Sequence, residues 1–168
     1  MSLTLRGRAR RLGDRVSTDH IISSSRKKET LDTGVLRAYL FESVDPAFAA
    51  SVRPGDVLVA GSNFGCGSAM EIAVTVVLAA GIRAVLARSF ARTYYRNAIN
   101  NGLIPIECET SGIREGATLR LVLEESGVSI IDETAGRDIA GLPLPVIMID
   151  ILGEGGLVPF FRKRHDFR

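Results

Sequence analysis

The 168-residue sequence predicts an α/β fold with a partly parallel sheet and a C-terminal half rich in β-strands. Between residues 57 and 106, short β-branched runs alternate with longer helical segments, which is the pattern of βαβ units and a parallel sheet. From residue 107 onward the apolar runs are short and are separated by glycines and charged turns, which indicates further strands. The length suits one core, and we expect a single domain spanning residues 1–168.

The N-terminal part is predicted to begin with a hairpin-like pair. Residues 3–12 alternate partly between apolar and polar side chains and suit a strand. Gly13 and Asp14 then suit a turn into a returning segment at residues 16–22. A second turn is predicted at residues 53–56, Arg-Pro-Gly-Asp, directly before the central strand.

Two segments of different character lie between these turns. Residues 23–29 are polar throughout and lack apolar periodicity, which predicts a mobile loop. Residues 31–41 predict a helix, because Leu36, Tyr39 and Leu40 share one helical face.

The centre of the chain reads as strand, glycine-rich turn and helix. Residues 57–60 are a short β-branched run, and Gly-Ser-Asn-Phe-Gly-Cys-Gly at residues 61–67 follows it. Ser68 stands where an N-cap hydroxyl would, so the next helix is predicted to begin at about Ser68 and to end at Gly81. The remaining predicted elements are a strand at 83–87, a helix at 89–101 ended by Gly102, strands at 103–106, 118–124, 127–132 and 146–151, and a last helix at 157–164.

The glycine-rich turn is the strongest candidate for chemistry. Free N–H groups and the positive end of a helix dipole would converge there, which suits a carboxylate, a phosphate or a developing oxyanion. The spacing of its glycines fits neither of the common nucleotide-binding motifs, so a nucleotide is disfavoured. The alternative is a structural turn, since many strand-to-helix turns in α/β domains bind nothing.

Composition indicates a protein of the reducing cytoplasm. The two cysteines, Cys66 and Cys108, form no pair or cluster with metal-ligand spacing, and the start of the chain lacks the apolar core of a signal peptide. The longest apolar stretch, residues 72–82, is far shorter than the roughly 20 residues that a membrane span needs. We therefore expect no membrane segment and no metal site in this chain.

Positive charge collects at both ends although the net charge is only +2. Aromatic residues are not interleaved with these cations, so we expect solvated faces and no nucleic-acid partner. A basic nucleic-acid-binding module is one alternative for the function, and it ranks below the two that are described next. The basic positions are Arg6, Arg8, Arg10, Arg11 and Arg15 at the start and residues 162–168 at the end.

Three separated motifs carry a resemblance to a known family. They are Thr-Asp-His-Ile at residues 18–21, the glycine turn with Ser68, and the run Arg-Ser-Phe-Ala-Arg-Thr-Tyr-Tyr-Arg-Asn-Ala-Ile-Asn-Asn-Gly-Leu-Ile-Pro-Ile at residues 88–106. In this order they resemble the aconitase swivel domain, and most closely the separate small subunits of isopropylmalate dehydratase and homoaconitase. The resemblance covers nearly the whole chain and implies a three-layer β/β/α domain.

The resemblance also implies an activity and a partner. It implies a hydro-lyase that moves water across a carbon–carbon bond of a hydroxy di- or tricarboxylic acid, as in leucine biosynthesis. In this family a large subunit holds a [4Fe-4S] cluster on three cysteines, and its free iron acts as a Lewis acid on the substrate hydroxyl. The small subunit closes the active site. The runner-up is a non-catalytic or regulatory relative that keeps the fold but has lost the catalytic environment.

Ser68 takes the position of the family's general base, and we count Gly67 and Ala69 beside it as substrate-binding positions. A serine base needs oriented N–H groups and a nearby cation, because its alkoxide is unfavourable at neutral pH. The family supplies that cation as an arginine two residues later, where this chain has Met70. Ala69 replaces a second serine, and Ile72 replaces a histidine.

The family's substrate-selecting loop corresponds to residues 23–31. Lys28 falls nearest to a carboxylate-binding arginine of the family, with Arg26 and Lys27 beside it, and these three cations are predicted to bind the substrate carboxylates. The alternative is an exposed charged loop.

Four further residues have a structural alternative. Asp19 matches an acidic position of the family and is predicted to orient an active-site cation, whereas an Asp in a turn commonly bonds its own backbone. His20 is predicted to be structural, Cys66 to be a packed small residue, and Cys108 to be structural.

Overall fold

The structure is a computed structural model, and it describes residues 1–164. Within these residues, seven strands form one sheet. They are β1 (Leu3–Arg11), β2 (Val57–Val59), β3 (Ala84–Ala87), β4 (Ile104–Glu107), β5 (Thr118–Glu124), β6 (Gly127–Asp132) and β7 (Arg137–Gly141). Their order across the sheet is β4-β3-β2-β1-β5-β6-β7.

The helices lie mainly between the parallel strands and after β7. They are α1 (Thr18–Ile21), α2 (Ser24–Glu29), α3 (Thr33–Leu36), α4 (Phe48–Ser51), α5 (Ile72–Ala79), α6 (Arg92–Asn101), α7 (Val146–Gly153) and α8 (Leu157–Arg164). A short 3₁₀ turn, Arg37–Tyr39, follows α3.

Strand β1 joins the parallel half of the sheet to its antiparallel half. It pairs in parallel with β2, where Arg10 lies opposite Leu58, and antiparallel with β5, where Leu5 lies opposite Leu121. Strands β2, β3 and β4 continue the parallel half, and β5, β6 and β7 form antiparallel pairs. The predicted partly parallel sheet and the β-rich C-terminal half are therefore confirmed.

Side chains of the parallel strands alternate between two apolar cores because the strands are buried on both faces. Leu58 and Val85 belong to the first core, whereas Val57, Val59 and Leu86 belong to the second. Helices α1, α3 and α5 contribute to the first core. Strands β5 and β6 with helices α7 and α8 contribute to the second, so the two cores separate three layers.

The predicted hairpin at the N-terminus is wrong. Residues 16–22 do not return along β1, because both edges of β1 are occupied by β2 and β5. Instead, Ser17 caps α1 in a capping box: its hydroxyl accepts from the His20 backbone N–H, and the Ser17 N–H donates to His20 Nδ1 at 3.0 Å.

The predicted mobile loop at residues 23–29 is also wrong, since this segment forms α2. The Ser23 hydroxyl accepts from the Ser25 N–H at 3.2 Å and caps the helix. The guanidinium of Arg26 holds α2 against the neighbouring chain through Glu42 and Tyr39. Tertiary contacts, which an apolar periodicity cannot reveal, therefore order this polar segment.

Other boundaries differ from the predictions for local reasons. The helix predicted at residues 31–41 is broken into α3 and the 3₁₀ turn. The strand predicted at residues 146–151 is α7, and its buried Ile149 and Leu152 lie three residues apart on one helical face. Strand β7 was not predicted, because Arg137–Gly141 is polar and half-exposed at the edge of the sheet. The predicted end of α6 at Gly102 is confirmed by its positive φ of 84°.

Ion pairs engage most of the arginines of the first strand. Arg8 Nη2 lies 2.8 Å from Asp56 Oδ2, and Arg10 Nε lies 2.9 Å from Glu115 Oε1. Arg6 Nη2 lies 2.9 Å from Glu133 Oε2. Residues 165–168 of the basic C-terminal run lie outside the described residues. In residues 1–164, no helix is both long enough and apolar enough to cross a bilayer.

Candidate functional site

Two loops meet at the carboxyl ends of β2 and β3, where sites in parallel sheets form. The loop after β2 contains the glycine turn, and the loop after β3 leads into α6. The Phe64 N–H donates to the Ser89 carbonyl at 3.0 Å, and the Ala91 N–H donates to the Phe64 carbonyl at 2.9 Å. The Phe64 ring also meets the Phe90 and Tyr94 rings edge to face. The two loops therefore form one unit.

Glycine is required at two positions of the turn. Gly65 has a φ of +82°, and a Cβ there would lie 2.2 Å from Cγ of Tyr94. Gly67 has a φ of +91°, which side chains rarely adopt. The absence of a side chain at position 65 lets α6 approach the turn, and the buried Tyr94 hydroxyl then donates to the Ala73 carbonyl at 3.0 Å.

Ser68 follows this turn and is exposed. Its carbonyl accepts a hydrogen bond of 2.8 Å from the buried hydroxyl of Thr18, and the Thr18 N–H donates to the Cys66 carbonyl at 2.9 Å. The Ser68 hydroxyl itself has no hydrogen-bond partner among residues 1–164. The Thr18 hydrogen bond thus holds the Ser68 backbone in place, while the Ser68 hydroxyl is left without a partner in residues 1–164 and can bind a ligand.

The prediction that Ser68 begins a helix is wrong. Helix α5 begins at Ile72, and its N-cap, Glu71, makes no side-chain cap hydrogen bond. The helix whose start faces Ser68 is α6. It begins at Arg92 after an N-cap, Ala91, that has no hydroxyl or carboxylate to cap the first turn.

A small cavity of about 100 Å³ lies between the turn and the start of α6. Its walls include Ser68, Gly67 and Ala69 on one side, and Arg92 and Asn97 on the other. Ser68 and the two predicted substrate-binding positions beside it therefore form one wall of the cavity.

Met70 also lines this cavity, although it is only 9% exposed and belongs to the first core. Its thioether sulfur contacts the ammonium group of Lys27. Lys27 therefore reaches the wall of the cavity through Met70, which brings a cation from α2 to the side of the site that has no arginine at position 70.

The other two cations of α2 are placed differently. Arg26 binds both carboxylate oxygens of Glu42, at 2.9 and 3.1 Å, and its guanidinium lies 3.8 Å from the centre of the Tyr39 ring. These contacts already occupy most of its donors. Lys28 is exposed and makes no ion pair or hydrogen bond with the part of the chain that the structure describes.

Asp19 contacts the start of α2. Its Oδ1 accepts from the Ser24 hydroxyl at 2.7 Å and from the Ser24 N–H at 3.1 Å. These hydrogen bonds, followed by the charges of Lys27 and His20, hold the pKa of the Asp19 carboxyl below its ordinary value. Asp19 therefore remains ionised and fixes α2 beside the site. The structural prediction for His20 agrees with its capping hydrogen bond to the Ser17 N–H.

The cysteines of this chain do not fit a metal cluster. Burial, with Glu109 nearby, raises the pKa of the Cys108 thiol to about 12, so it stays protonated, whereas metal ligation needs the thiolate. Cys66 is half-buried in the glycine turn and unpaired. Over residues 1–164, no three His, Cys, Asp or Glu side chains come together in a group that could hold a metal ion.

Helix α6 contributes residues to this site that were not predicted. Arg92, Thr93 and Asn97 lie in the run 88–106 that carried the resemblance, but no role was predicted for them. A usable signal was present, because the carboxyl ends of adjacent parallel strands meet at one edge of a sheet. The strands predicted at 57–60 and 83–87 therefore indicate that the loops after them lie at one edge of the sheet.

Comparison with known proteins agrees with this architecture. Residues 14–111 match the family model described as the aconitase C-terminal domain. A 3-isopropylmalate dehydratase small subunit from Archaeoglobus fulgidus is 41% identical over 96% of this chain and 97% of its own length. A methanogen homoaconitase small subunit from Methanocaldococcus jannaschii is 40% identical over 96% of this chain and 94% of its own length.

A crystal structure from the same organism, described as 3-isopropylmalate dehydratase, superposes with a TM-score of 0.89 at 39% identity. The superposition covers 97% of this chain and 96% of that one. Likeness in sequence and in fold thus extends over nearly the whole chain. The chain therefore belongs to the aconitase C-terminal domain family, among its separate small subunits of the isopropylmalate dehydratase type.

Proposed function

We propose that this chain is the small subunit of a heteromeric hydro-lyase that acts on a hydroxy di- or tricarboxylic acid. The observation that carries the proposal is Ser68, whose hydroxyl is exposed on a cavity while its backbone is fixed by Thr18. Relatives of about equal identity are named for isopropylmalate and for homoaconitate, so both substrate classes remain within the proposal. Such names also favour the enzyme over the non-catalytic alternative.

A large subunit completes the active site in this proposal. The relatives are named small subunits, which supports a larger partner chain. The partner holds the [4Fe-4S] cluster, which supplies a Lewis acid for the substrate hydroxyl, because the cysteines of this chain do not fit that role. Both cysteines are free, which agrees with the reducing cytoplasm as the place of action.

The residues of this chain supply the base and the binding of the acid. Ser68 Oγ takes the proton from the carbon next to a substrate carboxylate, and it returns the proton when water is added. The backbone of Gly67 and Ala69 lies beside the serine and orients the bound acid. Lys27 and Lys28 attract the carboxylates, since neither ammonium group is paired with a carboxylate within residues 1–164.

Arg26 and Asp19 act indirectly, by holding α2 in place. Arg26 holds α2 to Glu42 and Tyr39, and Asp19 holds the first turn of α2 through Ser24. In this proposal they position Lys27 and Lys28, and their direct binding of substrate stays a prediction.

The test is the activity of the complex with and without the serine hydroxyl. The chain is co-expressed with its large subunit, the cluster is reconstituted, and turnover of isopropylmalate and homocitrate-type acids is measured. The Ser68→Ala variant should lose at least about a hundredfold in kcat while the complex still assembles. Ser62→Ala, which changes a serine of the same turn outside the cavity wall, should keep full activity.

Two outcomes would contradict the proposal. Full activity of Ser68→Ala would remove the serine from the chemistry. A cluster-loaded wild-type complex that turns over none of the di- and tricarboxylic acids would remove the activity itself.

A further inference from the structure

A serine that acts as a base has an electrostatic requirement that the glycine turn does not meet by itself. When Ser68 Oγ carries a negative charge, a nearby cation must stabilise it, since the alkoxide is otherwise unfavourable near neutral pH. On the side of the cavity formed by the turn, the side chain after Ala69 is Met70, which is neutral, and the next is Glu71, which is anionic. Lys27 contacts the sulfur of Met70 but is not among the residues that line the cavity, so the cation must come from another wall.

The opposite wall of the cavity carries one. Arg92 lines the same cavity as Ser68, and within residues 1–164 its guanidinium makes no ion pair, hydrogen bond or ring contact. It differs in this from Arg88, which is paired with Asp14 at 2.8 Å, and from Arg26, which is paired with Glu42. A free guanidinium at this position has its donors available for an oxyanion.

The backbone of Arg92 is held in place. It is the first residue of α6, and α6 is held to the turn by the edge-to-face contact of Tyr94 with Phe64. The Tyr94 hydroxyl donates to Ala73 in α5. These buried contacts set the relative placement of the backbones of the two cavity walls, so the Arg92 side chain starts from a fixed point beside Ser68.

We propose that Arg92 is a positioning residue that stabilises the ionised form of Ser68. The proposal deepens the proposed function and rests on it for the role of Ser68. In the proton transfer, the substrate C–H bond breaks, its proton forms the O–H bond of Ser68, and the electron pair stays on the substrate carbon. Arg92 keeps its proton throughout and acts by charge alone.

Arg96 offers a matched comparison. It lies one turn further along α6, is exposed, and has no ion pair or hydrogen bond in the described part of the chain. Arg92 and Arg96 both line a neighbouring cavity of about 340 Å³ near Glu107, but only Arg92 also lines the cavity of Ser68. An effect of net charge would appear with both arginines, whereas the proposed effect belongs to Arg92.

The first measurement uses the chain alone, so it does not depend on activity. A Ser68→Cys, Cys66→Ser double variant places one reporter thiol at position 68, and Cys108 is buried and protonated. The rate of alkylation by iodoacetamide is measured against pH. The pKa of the reporter thiol should lie below its ordinary value of about 8.5. Adding Arg92→Gln should slow alkylation at pH 7 by about tenfold, while Arg96→Gln should change it less than about twofold.

Arg92→Lys keeps the charge and is the control that separates loss of charge from a folding defect. It should keep most of the fast alkylation, and melting temperatures should match among the variants. An unchanged rate with Arg92→Gln, or an equal change with Arg96→Gln, would overturn the proposal. This result stands whether or not the complex turns over a hydroxy acid, so failure of the inference and failure of the proposed function are distinguishable.

The second measurement uses the cluster-loaded complex with Ser68 intact. Arg92→Gln should lower kcat by about a hundredfold with little change in KM, and should move the pKa of the ascending, low-pH limb of the pH–rate profile upward, because that limb reports deprotonation of the base. Guanidinium ion added to Arg92→Ala should restore part of kcat. An unmoved pH profile together with full kcat in Arg92→Gln would overturn the proposal.

Discussion

Met70 is a single residue that belongs both to the core and to the site. It is nearly buried among the residues of the first core, yet its side chain lines the cavity of Ser68 and its sulfur contacts Lys27. A sequence can show that a methionine stands where the family has an arginine, but it cannot show which neighbour fills the space. The structure shows that a lysine from another element approaches the same place.

An arginine at position 70 should therefore be destabilising. Met70→Arg would bring a guanidinium into a nearly buried position beside the Lys27 ammonium, and we expect a loss of about 3 kcal/mol in the free energy of unfolding. Adding Lys27→Gln should restore about 1 kcal/mol, because it removes the like charge. Urea unfolding of the single and double variants measures both values.

Lys28→Gln in the same Met70→Arg background is the control. Within the described residues the hydrogen bond to Met70 comes from Lys27 and Lys28 makes none, so this change should restore almost nothing. Equal recovery from Lys28→Gln would show that the coupling is a general effect of net charge.

Among the elements, α2 differs most from its prediction because its order depends on contacts distant in sequence. Glu42 and Tyr39 hold Arg26, and Asp19 holds the start of the helix. Helix α7 was mistaken for a strand for another reason: a short, continuously apolar run does not distinguish a buried helix from a buried strand. In contrast, β2, β3 and α6 were predicted well, since β-branched runs, short connections and Gly102 mark them locally.

The site was predictable in part for the same reason. Ser68 lies next to a local glycine signal, which is why the sequence singles it out as a candidate. Arg92 and Asn97 reach the cavity only because β2 and β3 are adjacent in the sheet, which is a property of topology.

The anchoring of α2 by Arg26 can be tested directly. Arg26→Ala removes a bidentate ion pair and a cation–π contact, and we expect a loss of about 1 to 2 kcal/mol, because both partners are partly exposed. Amide hydrogen exchange should quicken in α2 and remain unchanged in β1 to β4. Lys28→Ala, with no partner in the described chain, should leave stability within about 0.5 kcal/mol. Faster exchange throughout the protein would contradict a local anchor.

At the scale of the whole molecule, Asp56 ties the first strand to the loop before the second. It is only 2% exposed, and its carboxylate meets Arg8 at 2.8 Å and Arg10 at 3.5 Å. Burial alone would raise the pKa of Asp56, but the hydrogen bonds from Arg8 and from the Arg53 N–H outweigh it and hold the pKa below its ordinary value.

This shift predicts the direction of an acid effect. A lowered folded pKa means that the stabilisation from Asp56 is present above the unfolded pKa near 4, and is lost as the pH falls through the lower folded value. Asp56→Asn should cost about 3 kcal/mol at pH 7, because Arg8 loses its charged partner and the buried Arg10 keeps only Glu115. The variant should also lose less stability than wild type between pH 5 and pH 2.

Unfolding by guanidinium chloride across that pH range provides the comparison. Glu115→Gln removes a more exposed partner of Arg10 and should cost less than about 1 kcal/mol at pH 7. An Asp56→Asn variant with the same stability and acid slope as wild type would show that the buried carboxylate contributes nothing.

The place of β1 in the middle of the sheet also affects how the chain is made. As the polypeptide leaves the ribosome, β1 is available first, but its antiparallel neighbour β5 is synthesised only when residues 118–124 are reached. At typical translation speeds this delay is on the order of ten seconds, during which one edge of β1 is unpaired. An unpaired edge invites association with other chains. We therefore expect a chain that ends before β5 to leave this edge of β1 open and to associate with other chains more readily than the full chain does.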